Sequence, residues 1–189
     1  MLQSVDTSEG FVVGLGNPGL DETVHNVGFV FINELTKLYG GKSFPASSSF
    51  SSPLVCGDAS FRVLKPRIEM NSSGKVVFKA LRKRMTFDRG EEASCLLVVA
   101  EDVELTPGKV RVRFGKSSRG HNGVKSVVEA LGSNAFFVLW IGIGRPLGDH
   151  DLSEYVLSRI PEEKKEKVET GICSGLLLFQ KWLCSGRKV

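Results

Sequence analysis

Three asparagines, two histidines and an acidic pair are the residues of this chain with the means to do chemistry together: Asn17, Asn71, Asn122, His25, His121, Glu101 and Asp102. No serine or cysteine stands in a nucleophile setting, which leaves water as the attacking group. A histidine can activate that water, an acid can orient the histidine, and asparagine amides can position a substrate and stabilise an oxyanion. Taken singly, each residue has a plainer use. Asn17 and Asn122 beside glycines suit turns or helix N-caps, His25 suits a helix start, and Asp102 suits a surface.

The stretch Gly14-Leu15-Gly16-Asn17-Pro18-Gly19 supports a second chemistry, because its glycines fit the G-x-G-x-x-G pattern of a dinucleotide site after the apolar run Phe11-Val12-Val13. That reading, a nucleotide-binding oxidoreductase, needs amides open to a pyrophosphate and an acid about 20 residues on. Pro18 removes one amide donor, Asp21 and Glu22 set negative charge where phosphates would lie, and the nearest suitable acid, Glu34, falls inside a helical pattern. The stretch reads better as a tight turn that projects Asn17 beside His25.

Positioning such a set requires elements that deliver loops to one edge. Phe11 to Leu15 reads as a strand and Asn26 to Tyr39 as a helix, with Val27, Val30, Phe31, Leu35 and Leu38 at helical spacing and Gly40-Gly41 as its stop. Ser43 to Pro53 reads as a loop, Phe61 to Leu64 as a short strand and Ser73 to Arg84 as a helix. Asp88 to Glu92 forms a charged turn. Cys95 to Ala100 is a continuous apolar run, as in a central strand buried on both faces. Val110, Val112 and Phe114 alternate with Arg111 and Arg113, which predicts a strand with a basic face; Gly120 to Leu131 follows as a helix and Phe136 to Ile143 as a strand. Residues 161–184 form an amphipathic terminal helix, with Val168, Ile172, Leu176, Phe179 and Leu183 on one stripe and two glutamates at its start. Alternating strands and helices predict an α/β protein, a three-layer α/β/α sandwich around a mixed, mostly parallel twisted sheet. Loops at the carboxyl ends of its strands would then bring the polar set together.

With 189 residues the chain is expected to form a single domain, 1–189, in which 1–10 is an N-terminal extension. No apolar run approaches the roughly 20 residues of a membrane span, so no membrane contact is expected. The N-terminal residues lack the order of a secretory signal or presequence, giving an expectation of a cytoplasmic location. Four cysteines, Cys56, Cys95, Cys173 and Cys184, lie far apart without a C-x-x-C pair and read as free thiols; no zinc site is expected. The net charge of +4 is concentrated: residues 105–128 carry Lys109, Arg111, Arg113, Lys116, Arg119 and Lys125 and no acid, so this segment holds +6 and the remainder 4 − 6 = −2. Such an unbalanced segment laced with glycines is what a phosphate-backbone contact surface looks like.

Five linked motifs carry a family resemblance. Gly14 to Gly19 with His25-Asn26-Val27-Gly28, Lys65-Pro66 with Met70-Asn71-Ser72-Ser73-Gly74, Pro107-Gly108, Arg119-Gly120-His121-Asn122-Gly123 and Ile141-Gly142-Ile143-Gly144-Arg145-Pro146 occur in order over residues 11 to about 160. In this the chain resembles the bacterial-type peptidyl-tRNA hydrolase family. The resemblance implies hydrolysis of the ester linking a peptide to the tRNA 3′ end of peptidyl-tRNA; no cofactor or metal is expected, and since nothing suggests an obligate partner, a monomer is expected. The resemblance implies His25 as the base, with Asn17 and Asn71 holding the peptidyl end beside Met70, Asn122 orienting water or substrate, and His121 supporting the pocket. Lys109, Arg111, Arg113, Lys116, Arg119 and Arg145 would face the tRNA, at its acceptor stem.

The chain departs from the family pattern at four points. The acid that partners the histidine is usually the first aspartate of an Asp-Glu or Asp-Asp pair, and here it is Glu101 followed by Asp102. A glutamate must re-aim its carboxylate, and ~1 Å of misplacement costs about 10²-fold in rate. Val24 replaces an arginine, Glu69 a tyrosine, and Trp140 the arginine expected to clamp the terminal phosphate. The chain therefore reads as a divergent member, with a non-catalytic RNA-binding relative as the alternative.

Overall fold

A computed structural model describes residues 9–20, 23–40, 51, 53–86, 88–146, 148 and 151–187. Most of the expected N-terminal extension (1–8), Asp21, Glu22, Gly41 and most of the serine-rich loop (43–50 and 52) lie outside the described residues. In chain order the elements are β1 (Glu9–Gly14), α1 (Val27–Leu38), β2 (Leu54–Cys56), β3 (Ala59–Leu64), α2 (Ser73–Arg82), β4 (Leu96–Asp102), β5 (Val110–Phe114), α3 (Asn122–Leu131), β6 (Phe137–Gly142), α4 (Leu152–Leu157) and α5 (Glu162–Cys184). Single 3-10 turns at Val24–Asn26 and Met70–Ser72 lead into α1 and α2.

Among the described residues six strands form one sheet in the order β2-β3-β1-β4-β6-β5. β3, β1, β4 and β6 run parallel, and β2 and β5 close the two edges antiparallel. The expected mixed, mostly parallel sheet is therefore present. Its apolar side chains divide between two cores. Val12, Leu97, Val99 and Leu139 pack with α1 and α5 on one face; Val13, Val98, Ala100 and Val138 pack with α2 and α3 on the other. Helices on both faces of a sheet make the three-layer α/β/α sandwich. The stripe on α5 supplies Val168, Ile172, Phe179 and Leu183 to the first core, and β4 is buried along its whole length.

Two details of the fold were not anticipated. β2 is three residues long and α4 six, both too short to impose a period on the sequence. Expected boundaries also shift: α3 begins at Asn122 rather than Gly120, because Arg119 and Gly120 take left-handed backbone conformations, φ 52° and 82°. Among the described residues no helix is long and apolar enough to cross a membrane.

The topology fixes where a site can form. From β1 the chain leaves through α1 on one face toward β3; from β4 it leaves toward β6, with α3 on the opposite face. Between the carboxyl ends of these adjacent strands a crevice opens. Glycines let α1 settle against β1 there: a Cβ on Gly14 would lie 2.2 Å from the Gly28 carbonyl oxygen, and one on Gly28 would lie 2.4 Å from that of Leu15.

Candidate active site

The crevice is a cleft of about 850 Å³, within the usual size for small-ligand sites. Asn17, His25, Met70, Asn71, Glu101, Asp102, His121 and Asn122 all line it, so the structure brings together every residue of the polar set. β1 supplies Asn17 through its following turn, the 3-10 turn before α1 supplies His25, the turn before α2 supplies Met70 and Asn71, and the end of β4 supplies the acids.

Side-chain parity on β4 separates Glu101 from Asp102. Successive side chains of a strand point to opposite faces. Leu97 and Val99 face α1, so Glu101 continues on that side; Val98 and Ala100 face α2 and α3, so Asp102 continues there. The observed contacts follow. Glu101 Oε1 accepts a hydrogen bond from His25 Nδ1, and Asp102 Oδ2 lies 2.7 Å from Nε of Arg119. Asp102 Oδ1 accepts from the Glu104 amide at 2.8 Å. Glu101 is thus the acid that reaches the histidine.

The same oxygen of Glu101 has a second neighbour, His121 Nε2, at 3.0 Å. That approach is close but off-axis, and it acts more through charge than through a directed hydrogen bond. The tautomer of His121 follows from its other nitrogen. Nδ1 accepts from the amides of Gly123 (3.0 Å) and Val124 (3.3 Å), capping α3, so a neutral ring carries its proton on Nε2, toward Glu101. This capping role was not foreseen, since Asn122 looked like the better cap; the cap stands one residue earlier. Burial raises the Glu101 carboxyl, but the charge of the adjacent His121 and the hydrogen bond from His25 outweigh it and hold the group below the usual carboxylate range.

His25 is 8% exposed. With Nδ1 donating to Glu101, its Nε2 has no hydrogen-bond partner among the described residues. A neutral imidazole held this way keeps a lone pair free to take a proton. Asn17 is fixed as well: its Oδ1 accepts from the Met70 amide at 2.9 Å, which leaves the Nδ2 donors free for a ligand. The turn that carries it is clamped by fully buried Asn26. The Asn26 side chain accepts from the Asn17 amide (2.6 Å) and donates to the carbonyls of Asn17 (2.9 Å) and Leu20 (2.6 Å). Asn26 belongs to the motif but was given no task; three bonds to a turn six to nine residues away leave no trace in sequence periodicity.

His25, Glu101 and His121 present ligand atoms within 4.8 Å of one another. Here both ring nitrogens converge on one carboxylate oxygen: His25 donates to it, and His121 stands beside it without a directed hydrogen bond.

The departures from the resembled pattern have physical settings. Val24 is fully buried in the α1 and α5 core. Trp140, 1% exposed, packs in the opposite core beside His121, with ring centroids 6.1 Å apart, and forms an apolar cleft wall. Glu69 stands exposed at the cleft. The expected tRNA-facing cations divide. Lys109, Arg111, Arg113 and Lys116 are exposed on and around β5, whereas Arg119 is committed to Asp102 and Arg145 to Glu104, at 2.6 and 3.3 Å. The left-handed backbone of Arg119, costly for a residue with a Cβ, accompanies that ion pair at the cleft.

The family model described as peptidyl-tRNA hydrolase matches residues 11–188. The peptidyl-tRNA hydrolase of Geobacillus kaustophilus is 40% identical over 165 residues, covering 85% of each chain. That of Chlamydia abortus is 35% identical over 182 residues, covering 93% of this chain and 96% of its own. Among solved structures, the peptidyl-tRNA hydrolase of Acinetobacter baumannii matches with a TM-score of 0.80 at 29% identity, over 97% of this chain and 92% of that one. The order of motifs, the sandwich and these matches agree: the chain belongs to the peptidyl-tRNA hydrolase family.

Proposed function

We propose that the chain hydrolyses peptidyl-tRNA at the ester between peptide and tRNA, with His25 as general base. The observation that carries this reading is the buried His25–Glu101 contact at the floor of the cleft. Glu101 fixes the ring and stabilises the imidazolium that forms when Nε2 takes a proton from water. The resulting hydroxide attacks the ester carbonyl carbon. Asn17 Nδ2 donates to the carbonyl oxygen as it gains charge. When the ester bond breaks, the proton on His25 passes to the departing tRNA 3′ oxygen, releasing the peptide acid and a free hydroxyl.

Asn71 and Asn122, exposed at the cleft, hold the peptidyl end and orient substrate or water. Lys109, Arg111, Arg113 and Lys116 take the phosphates of the acceptor stem. With Trp140 in place of a cation, Arg119 is the arginine that lines the cleft, held there by Asp102. On this reading the whole chain, 1–189, acts as one catalytic unit.

The test is release of peptide from a purified peptidyl-tRNA by wild type and His25→Ala. Loss of about 10²-fold or more in the variant is expected. Unchanged turnover would overturn the assignment, and tRNA binding without any release by wild type would favour the RNA-binding relative.

A further inference from the structure

Cys56 and Cys184 are 128 positions apart in the chain, yet their sulfurs lie 4.0 Å from each other. Cys56 ends the edge strand β2 and is buried; Cys184 ends α5 and is exposed. The encounter is held by packing. Trp182 and Leu183, immediately before Cys184, are buried in the same core as Cys56. Tyr39 closes the other side, its hydroxyl 3.3 Å from the Cys56 sulfur. The two remaining cysteines are not so placed: Cys95 faces the sulfur of Met85 at 3.8 Å, and Cys173 is exposed on α5.

We propose that Cys56 and Cys184 form a reversible intrachain disulfide that staples the β2 edge of the sheet to the end of the C-terminal helix. A disulfide needs its sulfurs at about 2 Å, so roughly 2 Å must be closed, within reach of side-chain rotation at an exposed helix end. The oxidant is a peroxide. The Cys184 thiolate attacks one peroxide oxygen, the O–O bond breaks, and a sulfenic acid and hydroxide result. Cys56 then attacks the sulfenic sulfur; the S–S bond forms, the S–O bond breaks, and the departing hydroxide leaves as water with the thiol proton. Two thiols are oxidised and one peroxide is reduced to two waters. Burial first, then the contact with Cys56, pushes the Cys184 thiol up, which lowers the thiolate fraction and slows its attack on the peroxide.

The staple would act on stability. It closes a long loop in the unfolded chain, the circumstance in which a disulfide restricts that state most. Neither cysteine lines the catalytic cleft.

The test treats the full-length protein with hydrogen peroxide, blocks remaining thiols, digests without reductant and identifies crosslinked peptides by mass. The expected result is a single crosslink joining Cys56 to Cys184, reversed by dithiothreitol, with a thermal midpoint about 5–10 °C above the reduced form. Cys184→Ser, a change at an exposed position, should remove both effects, and Cys173→Ser neither. Over-oxidation of Cys184 while Cys56 stays free to alkylate, or a crosslink found only between separate chains, would overturn the proposal.

Discussion

At the scale of single residues, the decisive event is which of two adjacent acids meets the histidine. Glu101 and Asp102 differ by one position, and that position decides the face of the sheet. Glu101 therefore belongs to His25 and His121, Asp102 to Arg119 and the Glu104 amide. On the proposed mechanism, Glu101→Gln lowers kcat by about 10²-fold or more, because the amide no longer stabilises an imidazolium. Asp102→Asn lowers it by less than about 10-fold, since its partners only position the cleft wall. The reverse ranking in steady-state kinetics would reassign the orienting acid. Protonation gives an independent readout. Because the folded-state carboxyl of Glu101 is depressed, its contribution to stability is full above the unfolded value near pH ~4.3 and disappears as pH falls toward the folded value. Glu101→Gln should flatten the acid limb of a stability-against-pH curve measured by denaturant unfolding. The family resemblance pointed to Glu101 but left Asp102 as the other candidate; what separates them physically is parity, which depends on which face α1 packs against.

At the scale of elements, periodicity carried far. β4, β5 and α5 were readable because each imposes a pattern: a continuous apolar run, a basic alternation, and a long stripe. β2 and α4 are too short to do so. The His121 cap also escaped, because a cap is one side chain meeting two amides and has no period. The glycine motif was read as a turn, and its contacts show a further use, the close seating of α1 on β1. Gly28→Ala should bring a methyl to 2.4 Å from the Leu15 carbonyl oxygen, destabilise the fold by about 1–3 kcal/mol, and lower activity by displacing His25 at the head of α1. A denaturant midpoint equal to wild type would contradict that packing account. Asn26→Ala should cost about 1–3 kcal/mol through its lost buried hydrogen bonds and should lower kcat, because the Asn17 turn loses its clamp.

At the scale of the whole molecule, two long-range arrangements make the site. The strand order sets β1 beside β4, so that loops distant in sequence meet in one cleft, and the edge position of β5 lays Arg111 and Arg113 along an exposed strip. The concentration of charge in residues 105–128 was visible in the sequence. The intramolecular pairing of Arg119 and Arg145 was not, because each partner, Asp102 at the end of β4 and Glu104 just after it, lies in a segment distant in sequence. Arg111→Ala with Arg113→Ala should weaken tRNA binding and reduce the slope of log affinity against log salt by about 2, measured by titration at several salt concentrations. The proposed chemistry, in turn, requires His25 and Glu101 to act as one unit. Single-turnover peptide release by wild type, His25→Ala, Glu101→Gln and the double variant measures that dependence directly. A coupled pair predicts a double variant no slower than His25→Ala alone; losses that multiply would mean that Glu101 does not work through His25.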